Sequence, residues 1–498
     1  MILHRKASSF ILRALIFSGL LVASAAGRAD QLVDNFDNPA YDGSYNNVIW
    51  SQTGGIGSSA VQGSGKMALN IPANDWDYSG LASKSLVNLQ SAEIMKGTNV
   101  TVVVDPAVLS GGGDFRGGMY CEGQIAINLV DAAGGSGGGM WPTNNAIFSA
   151  LVYFSSANPD KLCVEFYSKT KNQASSFGKQ CGYRAIGPEL VPINSTGAQV
   201  TLSLVANQKY WELLVNGKRA LAGQTAMLAA DFPGYQASVE LLASNVNTGR
   251  AAMKLDNVMV SDAGATAFTA SFENMTDDFA ANKVDAEKLI RVEGYGSADI
   301  TCASGQATLK TDTNSAWALV GLQSAVSFPC DNLTSYVISV DRIAVNKISQ
   351  NPINTVFTVL EFPGGYNKAV SPGFYFSYGS GIQMVVKDYG SGWAGLFASY
   401  KAANMEGSNG TEITGLTDQW VGTGAVAFEF EVSQTAFVLR ANSNVLAQGA
   451  HGASFGERWV GLLAVSNQDV AEGNIVIDNL SFQKKPQTPS RVTDYNLY

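Results

Sequence analysis

Val239-Glu-Leu-Leu-Ala243, followed by Leu255-Asp-Asn-Val-Met-Val260, returns near the other end of the chain as Val460-Gly-Leu-Leu-Ala464 and Ile477-Asp-Asn-Leu-Ser-Phe482. Each copy reads as a short apolar strand, a polar connection, and a closing strand in which Asp-Asn stands between apolar residues. Earlier matches keep the same order. Phe36-Asp37-Asn38 answers to Phe272-Glu273-Asn274, Gly65-Lys-Met-Ala-Leu69 to Gly305-Gln-Ala-Thr-Leu309, Asn74-Asp-Trp76 to Asn314-Ser-Ala-Trp317, and Gly80-Leu81 to Gly321-Leu322. Matches preserved in order, at a spacing far above the roughly 20–50 residues of solenoid repeats, imply a duplicated domain. The expected organisation is a first domain over 30–262, a second over 263–484 and a loose tail over 485–498. The changeover is placed near Ser261-Asp-Ala-Gly-Ala265, small and polar as linkers tend to be. The second copy is the shorter. It lacks part of the middle, where the first carries the glycine-dense stretches Ser110-Gly-Gly-Gly-Asp114 and Gly134-Gly-Ser-Gly-Gly-Gly-Met140.

Within each copy the apolar residues alternate as in strands. Val200, Leu202 and Leu204 share one face, and the pattern resumes in Trp211-Glu-Leu-Leu-Val215. Asn216-Gly217 then supplies the positive-φ pair of a tight hairpin before Lys218-Arg-Ala-Leu221 returns. Val426–Val432, Phe437–Arg440, Asn442-Ser443 and Val445-Leu446 repeat this meander. Only 15% of residues are charged and 52 are glycine, a balance that favours sheets and turns over exposed helices. The prediction is all-β: two tandem jelly-roll β-sandwich domains related by duplication.

Residues 1–29 read as a signal peptide. Arg5, Lys6 and Arg13 form a basic start, Ala14–Val22 an apolar core, and Ala23-Ser-Ala-Ala-Gly27 a small-residue cleavage region. The protein is therefore expected to be secreted, periplasmic or extracellular, with no membrane span in the mature chain. Losing that segment takes the net charge from −9 to about −13. Such an acidic chain repels phosphate backbones, so nucleic acid is not an expected partner. Five cysteines remain. In an oxidising compartment their spacing suggests Cys163–Cys181 and Cys302–Cys330, one bridge per copy, with Cys121 single; the alternative is five buried thiols.

The opening Phe-Asp/Glu-Asn, the late hairpin and the closing Asp-Asn strand resemble the concanavalin A-like, laminin G-like jelly-roll superfamily. They are also similar to the jelly-roll carbohydrate-binding modules of bacterial polysaccharide-degrading enzymes. The resemblance implies a two-sheet sandwich, glycan binding, and a structural Ca²⁺ held by hard oxygen ligands at Asp37 with Asp256 and at Glu273 with Asp478. The alternative for Asp256 and Asp478 is that they bond neighbouring backbone.

Catalytic signatures are sparse. His4 lies in the leader, leaving His451 as the single histidine, so a histidine-rich metal centre is excluded. Hydrolases of the resembled group carry Glu-x-Asp-x-x-Glu on a strand, and no such run is present. Glu429 and Glu431 share one face of a strand, and they read as its solvated side with Phe428 and Phe430 inward.

Sugar rings stack on exposed aromatics. Candidates for that role are Trp141 and Trp393 in glycine-rich loops, Trp76 with Tyr78 on one face of Asn74-Asp-Trp-Asp-Tyr78 if that stretch is extended, and Trp317 as the repeat of Trp76; because Trp76 and Trp317 recur, the favoured reading for that pair is core packing. The functional expectation is a non-catalytic protein that binds polysaccharide or cell-surface glycan. The alternatives are a polysaccharide lyase or glycoside hydrolase with one active copy, and a structural or adhesive envelope protein.

Overall fold

A computed structural model describes residues 32–89, 96–132, 146–169, 183–193, 199–207, 210–224, 236–264, 275–293, 299–311, 319–347, 352–361, 380–402, 410–453, 455, 458–467 and 473–486. Trp141, Trp317, Glu273, Cys181 and the leader lie outside the described residues.

The described chain forms two β-sandwiches built to one plan. In the first, the back sheet runs Lys218–Gln224, Tyr210–Val215, Val200–Ala206, Lys96–Ser110, Arg250–Gly264, Lys66–Ile71 and Ser59–Gly63. The front sheet runs Tyr183–Pro192, Lys161–Lys169, Ala146–Phe154, Gly123–Asp131, Gln236–Asn245, Tyr78–Asn88 and Trp50–Gly54. In the second, the back sheet runs Asn444–Ala450, Ala436–Ala441, Val426–Val432, Thr334–Lys347, Gly473–Pro486, Gln306–Lys310 and Asp299–Ala303. Its front sheet runs Thr411–Ile413, Trp393–Lys401, Gly381–Asp388, Ile353–Glu361, Arg458–Asn467, Leu319–Ser324 and Leu289–Glu293. The two orders correspond strand for strand, and neighbouring strands are antiparallel throughout. The repeated motif thus joins the centres of two sheets: Val239–Ala243 lies in the front sheet and Leu255–Val260 in the back one. In the front strand the letter match is corrected by one residue, because Leu242 and Ala464 sit opposite the matching Gly80 and Gly321, so inward Leu241 answers to Leu463 and outward Glu240 to Leu462.

Alternation explains the cores. Ile125, Ile127 and Leu129 face Val100, Val102 and Val104 across the first sandwich, with Trp50, Phe166 and Trp211 filling the ends. Phe166 stacks on Trp211 with ring centroids 3.4 Å apart. Tyr336, Phe357, Phe428, Trp459 and Phe482 do the equivalent work in the second.

Local devices repeat with the strands. The Asp34 carboxylate accepts from Phe36 N–H (2.9 Å) and from the Trp50 indole (2.8 Å). Asp277 likewise accepts from Phe279 N–H (2.9 Å) and Asp285 N–H (2.8 Å). Phe36 and Phe279 both sit at positive φ, 54° and 52°. The structural counterpart of Phe36 is therefore Phe279, in an Asp-x-Phe motif. The sequence match to Phe272 followed the Phe-acid-Asn trio instead, and with this correction Glu273 ceases to be the counterpart of Asp37. The Asp-Asn signature is a β-bulge: Asn257 and Asn479 take φ of 47° and 48°, a conformation asparagine tolerates.

Three further expectations are corrected. Ser261–Gly264 is not a linker, since its small residues continue the closing strand and pair with Lys96–Asn99. Lys485 and Pro486 are not tail, because they pair with Ser335 and Thr334. No bridge joins Cys302 to Cys330. Cys302 lies in the back sheet and Cys330 follows Phe328–Pro329 on the front one, where the Gln434 side-chain amide lies 2.6 Å from its sulfur. Cys121 and Cys163 are buried thiols.

The domains meet through Arg219, whose guanidinium donates to Ala286 O (3.0 Å) and Glu287 O (3.3 Å) while pairing with buried Glu212 (3.3 Å). No described helix is long and apolar enough to cross a membrane.

Candidate functional site

Two places carry side chains that the core does not need. One is the outer face of the first front sheet. With Ile125, Ile127 and Leu129 turned inward, Gln124, Ala126 and Asn128 turn outward. Register then sets Glu240, Asn128, Ser149 and Tyr167 in a row across four strands. Ser149 Oγ lies 2.6 Å from Asn128 Oδ1, which leaves the Asn128 amide to donate to Glu240. Burial pushes the Glu240 carboxyl up to about 7 despite that bond, and its Oε2 has no hydrogen-bond partner.

The next row holds Leu242, Ala126, Leu151 and Glu165. Glu165 accepts from the Tyr153 (3.1 Å) and Tyr167 (2.9 Å) hydroxyls. Burial, reinforced by the Glu165 charge, raises both phenols well above their ordinary range. The Asp114–Cys121 hairpin covers this row. Met119 and Cys121 pack on Leu151, Tyr153 and Leu242, and Arg116 lies 5.6 Å from the Tyr153 ring and 5.9 Å from that of Trp76. Trp76 sits in a turn at φ 53° and not on an extended strand with Tyr78, yet both are half-buried members of one cluster, walls rather than exposed contacts.

Paired carboxylates for glycoside hydrolysis stand about 5–9.5 Å apart. Glu240 and Glu165 are separated by three strand spacings of about 4.8 Å, plus a shift along the strand, so their backbones lie about 15 Å apart. They do not form such a pair.

The second place is at one edge of the second front sheet. Asp388 ends the strand Gly381–Asp388, Trp393 opens the next, and Trp393 pairs with Trp420. The two indoles meet edge to face with centroids 5.8 Å apart. They are 49% and 55% exposed, and Tyr389 beside them is 40% exposed. Glycines seat the rings. A Cβ on Gly392 (φ 86°) would fall 2.5 Å from Trp420, and one on Gly395 would fall 2.5 Å from the Tyr389 hydroxyl. The loop is closed by Tyr389 N–H to Trp393 O (3.2 Å) and Val421 N–H to Gly392 O (2.9 Å). Asp418 stands beside Tyr389, and Gln419 Nε2 donates to Thr417 Oγ1 (3.1 Å), so hydroxyl-binding groups flank the rings. Trp393 was legible in the sequence. Trp420 was missed, although Gly415, Gly422 and Gly424 give it the same glycine-rich setting.

The remaining candidates are structural. Glu429 and Glu431 are held by Arg440 (2.7 and 2.8 Å), and Lys485 adds a bond to Glu429 (2.7 Å), with Phe428 and Phe430 inward as read. His451 is buried, with Nε2 3.1 Å from Ser433 O and Nδ1 accepting from Ala453 N–H, and burial holds it below its ordinary pKa. Asp256 and Asp478 accept from the N–H of Asn257 (2.7 Å) and Asn479 (2.8 Å), while Asp37 accepts from Asn35 (2.6 Å). Among the described residues no three Asp, Glu, His or Cys side chains gather as a metal site.

No protein-family model and no curated protein sequence matches the chain. Among solved structures it is similar to LamAcat from Zobellia galactanivorans, at 13% identity over 48% of this chain and 99% of that one, with a TM-score of 0.33. An endo-1,3-beta-glucanase from Streptomyces sioyaensis aligns at 12% identity over 48% of this chain and 97% of that one, TM-score 0.33. The Emp47p carbohydrate recognition domain aligns at 14% identity over 48% and 99%, TM-score 0.31.

Proposed function

We propose that the protein binds polysaccharide without cleaving it, outside the cytoplasm, through the Tyr389–Trp393–Trp420 platform of its second sandwich. The observation that carries this reading is the exposed indole pair, fixed edge to face on a glycine-seated loop. Large apolar rings left in water at fixed geometry, rimmed by Asp418, Thr417 and Gln419, offer stacking faces and hydroxyl partners together. The leader-like residues 1–29 support the location. An adhesive envelope role uses the same platform on a cell-surface glycan.

The test is affinity electrophoresis against a β-glucan, xylan and alginate, alongside Trp393→Ala/Trp420→Ala. Losing two stacking rings should weaken retention about 100-fold, at roughly 1.4 kcal/mol each. Undiminished retention by the double variant sinks the reading.

A second reading, a lyase or hydrolase active in the first sandwich only, draws on Glu240. A carboxyl titrating near neutrality suits a general acid or base. Soluble sugar ends released by wild type but not by Glu240→Gln would favour it over binding alone.

A further inference from the structure

The two sandwiches differ at one pair of positions beneath the aromatic platform. In the first, Val104 of the back sheet and Phe154 of the front sheet are both apolar core residues. Register assigns their counterparts in the second. Val104 lies opposite Leu255 and Val200, and Arg342 lies opposite Ile477 and Val426. Phe154 lies opposite Gly123, and Asp388 lies opposite Ile353. Arg342 and Asp388 are an ion pair at 3.1 Å that crosses the sandwich, with side chains 2% and 6% exposed. The guanidinium carbon sits 4.9 Å over the Phe428 ring.

A buried ion pair is a poor source of stability, since desolvation consumes most of its attraction. Its position suggests another use. Asp388 is the last residue of its strand, and while Oδ2 meets Arg342, Oδ1 accepts from Gly390 N–H at 2.7 Å. That bond ties down the start of the loop carrying Tyr389 and Trp393, at a glycine with φ 76°. Phenylalanine or valine at this site could fill the volume, but neither could accept the Gly390 hydrogen bond. A carboxylate can, and it tolerates burial here because a cation from the opposite sheet faces it.

Resting on the reading of the platform as a glycan site, we infer that Arg342 and Asp388 are positioning residues for it. Arg342 fixes the Asp388 carboxylate, Asp388 fixes the Tyr389–Gly392 loop, and the loop presents Trp393 to Trp420 at their edge-to-face angle. The pair holds the rings in their binding geometry before a ligand arrives, which lowers the ordering cost of binding.

The test is Arg342→Val/Asp388→Phe, which installs the first sandwich's own pair, compared with wild type and with Trp393→Ala/Trp420→Ala. Far-UV circular dichroism reports folding, near-UV circular dichroism reports the coupled indoles, and affinity electrophoresis reports retention by whichever of β-glucan, xylan or alginate holds the wild type. The variant should keep the wild-type far-UV spectrum and lose the near-UV signal that the tryptophan double variant also loses. Its retention should fall about tenfold, because the rings remain but are no longer preset. An unchanged near-UV spectrum overturns the inference whatever the glycan result. If the swap does not fold, Arg342→Met/Asp388→Leu, which removes both charges and the acceptor of the Gly390 N–H bond at nearly constant volume, is read the same way. Loss of the near-UV signal with no glycan retained by wild type would leave the positioning device standing and the glycan reading refuted.

Discussion

The outer faces of the two front sheets occupy the same place in the same fold, and the first carries two buried carboxylates, Glu240 and Glu165, where the second has Leu462 and Phe397. Where the first has Glu240, Asn128, Ser149 and Tyr167 in a row, the second has Leu462, Thr358, Gln383 and Ser399 at the matching register. Where the first has Leu242, Ala126, Leu151 and Glu165, the second has Ala464, Val356, Val385 and Phe397. The second face carries an apolar cluster of Leu462, Ala464, Val356 and Val385 beside a neutral polar row of Thr358, Gln383 and Ser399, and its exposed chemistry sits at the sheet edge, in the Trp393–Trp420 platform. Duplication preserved what the sandwich needs: the buried Asp cap, the bulged Asp-Asn and the alternating core. It left the faces free to diverge, because an outward side chain on a sheet owes nothing to the core beneath it.

Exchanging residues between the faces should break this symmetry most sharply. Leu462→Glu places a carboxylate in full burial among Val356, Val385 and Ala464 and should cost about 4 kcal/mol of unfolding free energy in urea titrations. Glu240→Leu should instead be neutral or stabilising. A mild Leu462→Glu would show that the second face is open to water.

The shared cap is next. Asp34→Ala strands the Phe36 and Trp50 N–H donors, and Asp277→Ala strands those of Phe279 and Asp285, so each should cost roughly 3 kcal/mol. A large difference between the two would mean the duplicated device no longer does equal work.

Glu240 also predicts a pH dependence confined to the first sandwich. Its folded pKa, near 7, lies above the unfolded value of about 4.3, so the folded state binds more protons between them. Stability from this group is full below about pH 4, declines as pH rises through the window, and levels off above pH 7, a loss on the order of 3–4 kcal/mol. Glu240→Gln should remove that slope. The smallest expected effect is that of excess EDTA. Melting temperature should not move, because Asp256 and Asp478 already cap their own bulges. A fall of several degrees would restore calcium to both closing strands.

The all-β class, the duplication, the meanders turning at Asn216-Gly217 and Asn442-Ser443, and the inward faces of most strands were legible along the chain. Those follow from alternation and turn chemistry, which are local. Trp393 was legible too, because glycine neighbours signal an exposed loop. Only the tertiary structure could decide the rest. Trp420 reaches Trp393 across a strand pair, Arg342 reaches Asp388 across the sandwich, and Glu240, Asn128 and Ser149 come from three strands far apart in sequence. Phe36 answers to Phe279 through a short Asp-x-Phe match that competes in the sequence with Phe272-Glu-Asn274, and the shared strand pairing and positive φ decide between them. Each of these rests on register between distant strands, and register is set by the packing of both sheets at once rather than by any one segment.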